Sequence, residues 1–331
     1  MKSIILKLVK IILVISLIIL LTYSLFEFLE HRDRQKLFEG KSENIVYSRL
    51  GDIYEYDMRH KYLKTIFEAH RTGRYATYPI WSNGNSILFT VQDAAFAARY
   101  IGLIGNKGDN FTPVLRINEH AEMPDISLDK KKIAFLCGKW VEQLGRIDYK
   151  LCIANVDGTG IKKISDINLY PYKPSWSPDG KKIAFTGFEN IDKMKDQEKI
   201  KREGMAAMGL NIYIFDIETG ITNKIINSGV GPAWSPEGKY IAYFEPIPNS
   251  DKADLKLFNI SSEEQRTLIK NKIFDGSPLW SSDGKFIFYQ RYGLIFFPPE
   301  KSIIELYSVE QNKSVQILEV RNKIFGFSVT R

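Results

Sequence analysis

The residues that could catalyse a reaction or bind a metal are few and widely separated in this sequence of 331 residues. Two cysteines, Cys137 and Cys152, cannot make a zinc site unless histidines lie close to them. The four histidines are dispersed, at His31, His60, His70 and His120. This pattern predicts no metal, no cofactor and no cluster of catalytic groups.

The acidic residues that recur do so in turns. Asp179, Glu237 and Asp283 each follow a Ser and precede a Gly, a spacing typical of tight turns. The segment NVDGTG (155–160) has the opening of a calcium loop but lacks the later acidic ligand, so we interpret it as a hairpin turn. The two cysteines would form a disulfide in an exported protein or remain buried thiols, and the sequence leaves both alternatives open.

The sequence offers more candidate residues for binding a partner through large side chains than for catalysis. Long irregular segments carry aromatic and apolar residues where polar ones would be easier to solvate, which is typical of a binding surface. The predicted partner-binding residues are Trp140, Leu144, Tyr170, Tyr172, Tyr292, Phe296 and Phe297. The segment 291–299, which holds the last three, either folds onto the protein or serves as an exposed anchor for a partner, and both interpretations stay open.

A repeated segment supplies the elements that position these loops. Copies begin at Tyr78, Met123, Lys173, Gly231 and Ser277, and each has a Pro, a large apolar residue, a Ser, a turn and an alternating apolar run. The large apolar residues stand at intervals of 45, 50, 58 and 46 residues. They are Trp81, Ile126, Trp176, Trp234 and Trp280. Periods of this size predict a repeat architecture.

Each copy predicts a β-hairpin, because Pro marks the start of a strand, Ser-Pro-Asp-Gly forms a turn, and alternation continues as a second strand. A further hairpin follows each copy, which makes a four-stranded unit the size of one propeller blade. Residues 44–68 supply three strands without a preceding Trp strand, and Phe327 lies 47 residues after Trp280. We therefore predict an all-β, six-bladed β-propeller over residues 44–331, closed by pairing of its N- and C-terminal segments.

The segments PSWSPDGKKIAF (174–185) and LCIANVDGTG (151–160) resemble the TolB-type β-propeller repeat, a relative of the WD-repeat blade. The resemblance covers about residues 44–331 and implies a β-propeller fold. In that family a small α/β domain precedes the propeller, whereas here an apolar segment and a charged linker stand in its place. Similar propellers cap serine peptidases of the prolyl oligopeptidase type, but this sequence has no G-x-S-x-G elbow.

The first 26 residues predict a membrane anchor. Lys2, Lys7 and Lys10 precede an apolar run that continues to Phe26, long enough to cross a bilayer. No A-x-A-like site follows, which favours an uncleaved signal anchor over a cleaved signal peptide. The lysines predict a cytoplasmic N-terminus, so residues 27–43 would be a linker and the propeller would lie on the periplasmic or extracellular side of the cytoplasmic membrane.

The charge balance argues against nucleic acid as a partner. Lys and Arg exceed Asp and Glu by only 46 to 39, and the excess is scattered. We expect a membrane-anchored, non-catalytic module that binds a protein or an envelope component through its long loops. The alternative is an enzyme, or a sensor of a small carbohydrate or peptide ligand, with its site at the mouth of the propeller channel.

Overall fold

The computed structural model describes residues 44–82, 85–93, 98–191, 197–292 and 301–330. Within these ranges the regular structure is almost entirely antiparallel β-sheet, which confirms the predicted all-β class. The predicted membrane helix (1–26) and linker (27–43) lie outside the described residues. Among the helices of the described ranges, none has the length and apolar character needed to span a membrane.

One sheet contains strands from both ends of the described chain, in the order β25-β1-β2-β3. Its members are β1 (Asn44–Arg49), β2 (Asp52–Asp57), β3 (Tyr62–Phe67) and β25 (Ile324–Val329). Phe327 stands opposite Tyr47 in the antiparallel pairing of β25 with β1. The pairing occupies the hydrogen-bonding edge that β1 would otherwise expose.

Three further sheets have four strands each, in chain order. They comprise β4 (Arg74–Trp81), β5 (Ser86–Asp93), β6 (Tyr100–Gly105) and β7 (Thr112–Leu115); β17 (Val230–Trp234), β18 (Tyr240–Pro246), β19 (Ala253–Asn259) and β20 (Gln265–Lys272); and β21 (Phe274–Trp280), β22 (Phe286–Tyr292), β23 (Lys301–Ser308) and β24 (Lys313–Arg321). Each is two consecutive hairpins, as the repeat predicts.

The remaining nine strands form one continuous sheet because a short strand joins two groups of four. The strands are β8 (His120–Ile126), β9 (Lys132–Val141), β10 (Arg146–Asn155), β11 (Lys162–Lys163), β12 (Asn168–Leu169), β13 (Ser175–Trp176), β14 (Lys182–Phe188), β15 (Asn211–Asp216) and β16 (Thr222–Asn227). Strand β12 pairs with both β10 and β14 and so bridges the two groups.

The Ser-Pro-Asp-Gly turn between β13 and β14 has a hydrogen-bonding reason to recur. Ser177 Oγ donates to Asp179 Oδ1 at 2.6 Å and accepts the Lys182 N–H at 2.9 Å. Gly180 adopts a φ of 70°, which glycine reaches without steric cost. The turn between β21 and β22 repeats this arrangement.

The four-stranded sheets and the two groups of four in the nine-stranded sheet have as their first strands β25, β4, β8, β13, β17 and β21. Each of these contacts the first strands of its two neighbours. The large residue of each repeat, at positions 81, 126, 176, 234, 280 and 327, is buried. Trp176 Nε1 donates to the Asp125 carbonyl at 3.3 Å, and Trp280 Nε1 donates to that of Ala233 at 3.1 Å. Burial of each such side chain contributes roughly 1.5–3 kcal/mol, and these bonds tie neighbouring groups of four strands together.

The connections fall on two rims. The short-turn rim holds the turns between first and second and between third and fourth strands, such as 177–182 and 216–222. The long-loop rim holds the other connections, which include helix α1 (Gln197–Glu203) and the 3₁₀ turn Gly204–Met208. Within α1, Lys201 Nζ lies 3.0 Å from Glu198 Oε1.

Cys137 and Cys152 form a disulfide between β9 and β10, with their Cα atoms 5.8 Å apart. In the register of these strands Lys150 stands opposite Cys137, so the disulfide joins diagonal neighbours. The structure therefore decides the alternative that the sequence left open, in favour of the disulfide.

Candidate binding site at the long-loop rim

A β-bulge interrupts the first strand of four sheets shortly before its buried Trp or Ile. The residues at the bulges have left-handed backbones: Tyr78 (φ 51°), Met123 (φ 54°), Gly231 (φ 63°) and Gly276 (φ 72°). Such a φ strains Tyr and Met by about 1–3 kcal/mol each, and strain of this kind clusters at ligand sites. Bulges also redirect side chains.

A cavity of about 360 Å³ lies at the long-loop rim, and three of the bulge residues, Tyr78, Met123 and Gly276, line it. We call it the mouth cavity. The residues that give its wall chemical character are Tyr78, Tyr170, Tyr172, Lys173, Asp275 and Lys323. Met205, from the 3₁₀ turn after α1, completes the wall. A cavity of this size can hold a small ligand or a segment of a partner chain.

Asp275 is the carboxylate of the mouth cavity. Its Oδ2 accepts hydrogen bonds from Tyr292 Oη at 2.5 Å and Gln290 Nε2 at 3.1 Å. Lys323 Nζ lies 3.8 Å from the same oxygen and about 5.4 Å from the ring centroids of Tyr292 and Phe325. The side chain of Lys323 is 40% exposed, so a ligand can reach it.

A buried ion pair holds a second lysine at the wall of the mouth cavity. Lys173 Nζ contacts Asp125 Oδ1 at 2.9 Å, and Asp125 Oδ2 accepts the backbone N–H of Trp176 at 3.0 Å. The two side chains are only 13% and 3% exposed. This ion pair joins β8 to the segment before β13 and fixes the lysine at the cavity wall.

The tyrosines of the cavity wall are neutral at physiological pH. Burial raises the pKa of Tyr78, and the negative charges of Glu122 and Asp275 raise it further. Burial also raises the pKa of Tyr172, whose hydroxyl lies 3.4 Å from Met205 Sδ. These phenols can therefore donate hydrogen bonds, but they cannot supply a negative charge.

A buried network supports the wall behind Met123. Glu122 is buried, and Arg99 Nη1 lies 2.9 and 3.1 Å from its two carboxylate oxygens. Tyr149 Oη donates a further hydrogen bond to Glu122. The backbone N–H of Met123 donates to Thr90 Oγ1 at 2.9 Å, which links β8 to β5. The bulge is thus held in place by groups from the neighbouring sheet.

The structure places the predicted binding residues in different settings. Tyr170 and Tyr172 line the mouth cavity, and Tyr292 bonds to Asp275 at its edge. Trp140, at the end of β9 on the long-loop rim, is 61% exposed. The side chain of Leu144, and the whole of Phe296 and Phe297, lie outside what the structure describes.

The sequence interpretation missed Tyr78, Asp275 and Lys323. A signal was present at Tyr78, because it directly precedes Pro79 as Met123 precedes Pro124, and both residues occupy bulges. Asp275 and Lys323 have no counterpart in the other repeats that would have drawn attention to them.

The described histidines serve separate local contacts. His70 Nδ1 lies 2.7 Å from Asp52 Oδ2, and His60 Nδ1 lies 2.8 Å from Asp57 Oδ2. Across the described parts of the chain, no three His, Cys, Asp or Glu side chains come together in a way that could hold a metal ion.

A second cavity, of about 270 Å³, lies on the short-turn rim. Repeated Trp-Ser-Pro turns form most of its wall, together with Leu128. Its chemistry repeats from sheet to sheet, whereas that of the mouth cavity is specific to individual residues. The mouth cavity is therefore the stronger candidate for a selective site.

A family model described as the TolB beta propeller domain matches residues 127–293. Over 97 residues the chain is 36% identical to the Tol-Pal system protein TolB of Alcanivorax borkumensis, a match that covers 28% of this chain and 19% of that protein. Over 213 residues it is 29% identical to Dipeptidyl-peptidase 5 of Porphyromonas gingivalis, covering 57% and 28%. The matches thus span less than a third of either relative.

Solved structures show the same fold. The crystal structure of TolB from Acinetobacter baumannii gives a TM-score of 0.66 at 14% identity, covering 87% of this chain and 66% of that one. The structure of a putative TolB from Agrobacterium tumefaciens gives 0.60 at 15% identity, covering 85% and 90%. These likenesses confirm the predicted TolB-like propeller fold.

Proposed function

Since this chain belongs to the TolB β-propeller family, we propose that it is a non-catalytic binding module that holds a protein or envelope component at its long-loop rim. The observation that carries the proposal is the mouth cavity. Its wall combines neutral tyrosines, a reachable lysine and strained bulge residues, while Trp140 is exposed on the same rim. Aromatic residues are enriched among the side chains that anchor protein partners.

The scaffold in this proposal is a ring of six blades. The first strands contact one another in sequence around the ring, and the β25–β1 pairing joins its two ends. Such a ring supports the bulged strands, because the bulges at Met123 and Gly231 are each bonded to a neighbouring blade. Gly231, for example, donates its N–H to Thr186 Oγ1 at 2.9 Å.

The proposed location is outside the cytoplasm, with residues 1–26 as the membrane anchor and 27–43 as a linker. The disulfide between Cys137 and Cys152 supports an oxidising compartment. The name of the TolB relative from Alcanivorax borkumensis assigns that protein to a Tol-Pal system. By analogy, we propose an envelope protein as the partner of this chain.

A small-ligand sensor or an enzyme is the second candidate. The cavity volume of about 360 Å³ lies within the range of small-molecule sites, and the likeness to Dipeptidyl-peptidase 5 gives this candidate a further basis. A small ligand would fill the mouth cavity without covering Trp140. A protein partner would cover both.

The test is affinity capture with a crosslinker from native membranes, using the full chain. Lys323→Glu reverses a charge at the cavity, whereas Lys131→Glu makes the same change in an exposed turn of the short-turn rim. We expect the wild type and Lys131→Glu to recover the same partner, and Lys323→Glu to recover several-fold less. Equal recovery by all three proteins would contradict binding at the long-loop rim.

A further inference from the structure

Exposed hydrophobic side chains concentrate on the short-turn rim. Among the described residues, eight large hydrophobic side chains are exposed, and five of them lie in or directly after turns of this rim. These five are Tyr62, Leu63, Leu128, Ile161 and Ile221. Single exposed apolar residues are normal on a protein surface, but their concentration on one rim among charged residues indicates an interaction surface.

Two of the five belong to adjacent turns. Leu128 lies in the turn between β8 and β9, and Ile161 lies in the turn between β10 and β11. The backbone N–H of Val156 donates to the Lys131 carbonyl at 2.9 Å, which holds the two turns side by side. Both exposed side chains therefore belong to one stretch of the rim.

Lysines accompany these two hydrophobic side chains. Residues 127–132 and 155–163 carry five lysines against two aspartates, and both aspartates accept backbone N–H groups within their own turns. Just beyond them, Asp166 Oδ1 lies 3.5 Å from Lys163 Nζ, in an exposed pair that contributes little. The surface is thus basic and apolar at once. We call it the basic rim patch; its exposed members are Leu128, Lys131, Lys132, Ile161, Lys162 and Lys163.

The chain also enters the propeller at the short-turn rim. Asn44 is the first residue of β1, and Ile45 stands opposite Val329 at the end of β25. Because first and second strands meet at this rim, β1 begins there. With residues 1–26 as the proposed anchor, the 17 residues of the proposed linker, 27–43, reach at most about 60 Å. The linker therefore leads from the bilayer to the short-turn rim.

We propose that the basic rim patch contacts the bilayer surface, with Leu128 and Ile161 among the lipid headgroups and the lysines beside anionic ones. Hydrophobic side chains accompanied by lysines are typical of surfaces that lie in a membrane interface. This inference rests on the proposed function, whose membrane anchor it requires, and it adds which rim faces the lipid. The mouth cavity, on the opposite rim, faces away from the bilayer and towards the partner.

The experiment measures the contact of each rim with lipid in the full-length protein. A fluorescent amino acid replaces Ile161 on the short-turn rim or Trp140 on the long-loop rim. Each protein is reconstituted into vesicles of phosphatidylcholine, with or without phosphatidylglycerol, in which some lipids carry a quencher on the headgroup. Flotation establishes that the protein is inserted in the vesicles, and circular dichroism establishes that it is folded.

A pair of charge reversals tests the role of the lysines. Lys162→Glu with Lys163→Glu changes the start of β11, the fourth strand of its group. Lys270→Glu with Lys272→Glu is the matched control, because these lysines are also exposed on a fourth strand, β20, but lie at its end on the long-loop rim. The two double variants therefore carry the same change of charge on opposite rims.

We expect quenching at position 161 to exceed that at position 140 several-fold in vesicles with phosphatidylglycerol. Each lysine beside an anionic surface strengthens binding about fivefold. Lys162→Glu with Lys163→Glu should therefore lower the equilibrium constant of contact at least about 25-fold and remove most of the quenching. The control with Lys270→Glu and Lys272→Glu should keep the quenching.

The other outcomes separate this inference from the proposed function. Equal quenching at positions 140 and 161, or quenching at 161 that survives Lys162→Glu with Lys163→Glu or does not need phosphatidylglycerol, overturns the inference and leaves the proposed function standing. Quenching at position 140 alone contradicts both, because lipid would then cover the long-loop rim. A protein that does not float with the vesicles lacks the anchor, which also contradicts both.

Discussion

The buried ion pair between Lys173 and Asp125 yields a prediction whose magnitude follows from burial. Asp125→Asn removes the charge that faces Lys173 but keeps an oxygen that can accept the Trp176 N–H. Lys173, whose side chain is 13% exposed, would then have its ammonium beside an uncharged amide. Removing one partner of a buried pair costs about 3–5 kcal/mol. We expect about 3 kcal/mol, because Lys173 retains some contact with water.

A surface pair of nearly equal length provides the control. Lys181 Nζ lies 2.8 Å from Glu218 Oε1, against 2.9 Å for the buried pair, but its side chains are 56% and 65% exposed. Exposed pairs of this kind contribute less than about 1 kcal/mol. Glu218→Gln should therefore change the free energy of unfolding much less than Asp125→Asn does.

The assay is urea unfolding of the full chain, followed by tryptophan fluorescence. Asp125→Asn with Lys173→Met removes both charges, and we expect this double variant to recover at least about 2 kcal/mol of the loss. The reasoning would be refuted if Asp125→Asn and Glu218→Gln lost equal amounts, or if the double variant were no more stable than Asp125→Asn alone.

Three further predictions concern the scaffold. Replacing Cys137 and Cys152 by Ser should lower the free energy of unfolding by about 2–4 kcal/mol; urea unfolding measures this, and non-reducing peptide mapping should find the linked pair in the wild type. Thr186→Val leaves the buried N–H of Gly231 unpaired and should cost about 1–3 kcal/mol in the same assay, whereas Thr219→Val in an exposed turn should cost far less. The Thr219 N–H and then the Lys182 ammonium lower the pKa of Asp216 from 3.8 to about 2. Because the pKa of Asp216 is lower in the folded than in the unfolded state, the stabilisation by this carboxylate is present above about pH 4 and is lost as the pH falls towards 2. The difference in unfolding free energy between the wild type and Asp216→Asn should therefore shrink between about pH 4 and about pH 2.

The repeated positions could be predicted from the sequence because several sheets bury the same large residue on their first strand and continue through the same turn. Trp176, Trp234 and Trp280 are buried at the first strands, and the Ser-Pro-Asp-Gly turn forms the expected bonds. The irregular copy at Ile126 could be placed only because its spacing matched the others, and Ile126 is buried as well.

The candidate site was only partly predictable, because its residues do not repeat. The bulge positions hold Tyr, Met and Gly in different sheets, so no common residue type marks them. Asp275 and Lys323 become a pair only when β21 and the segment before β25 meet at the mouth cavity. The disulfide depended on the register of β9 with β10, which the turn between them sets and the sequence did not reveal.

Site-specific photo-crosslinking on the two rims tests the proposed binding function most directly. A photoreactive amino acid replaces Trp140 on the long-loop rim or Ile221 on the short-turn rim, where the native side chains are 61% and 54% exposed. Both full-length variants are irradiated in native membranes, and the adducts are compared. We predict a discrete protein adduct from position 140 and none from position 221. The same adduct from position 221, or from that position alone, would contradict binding at the long-loop rim.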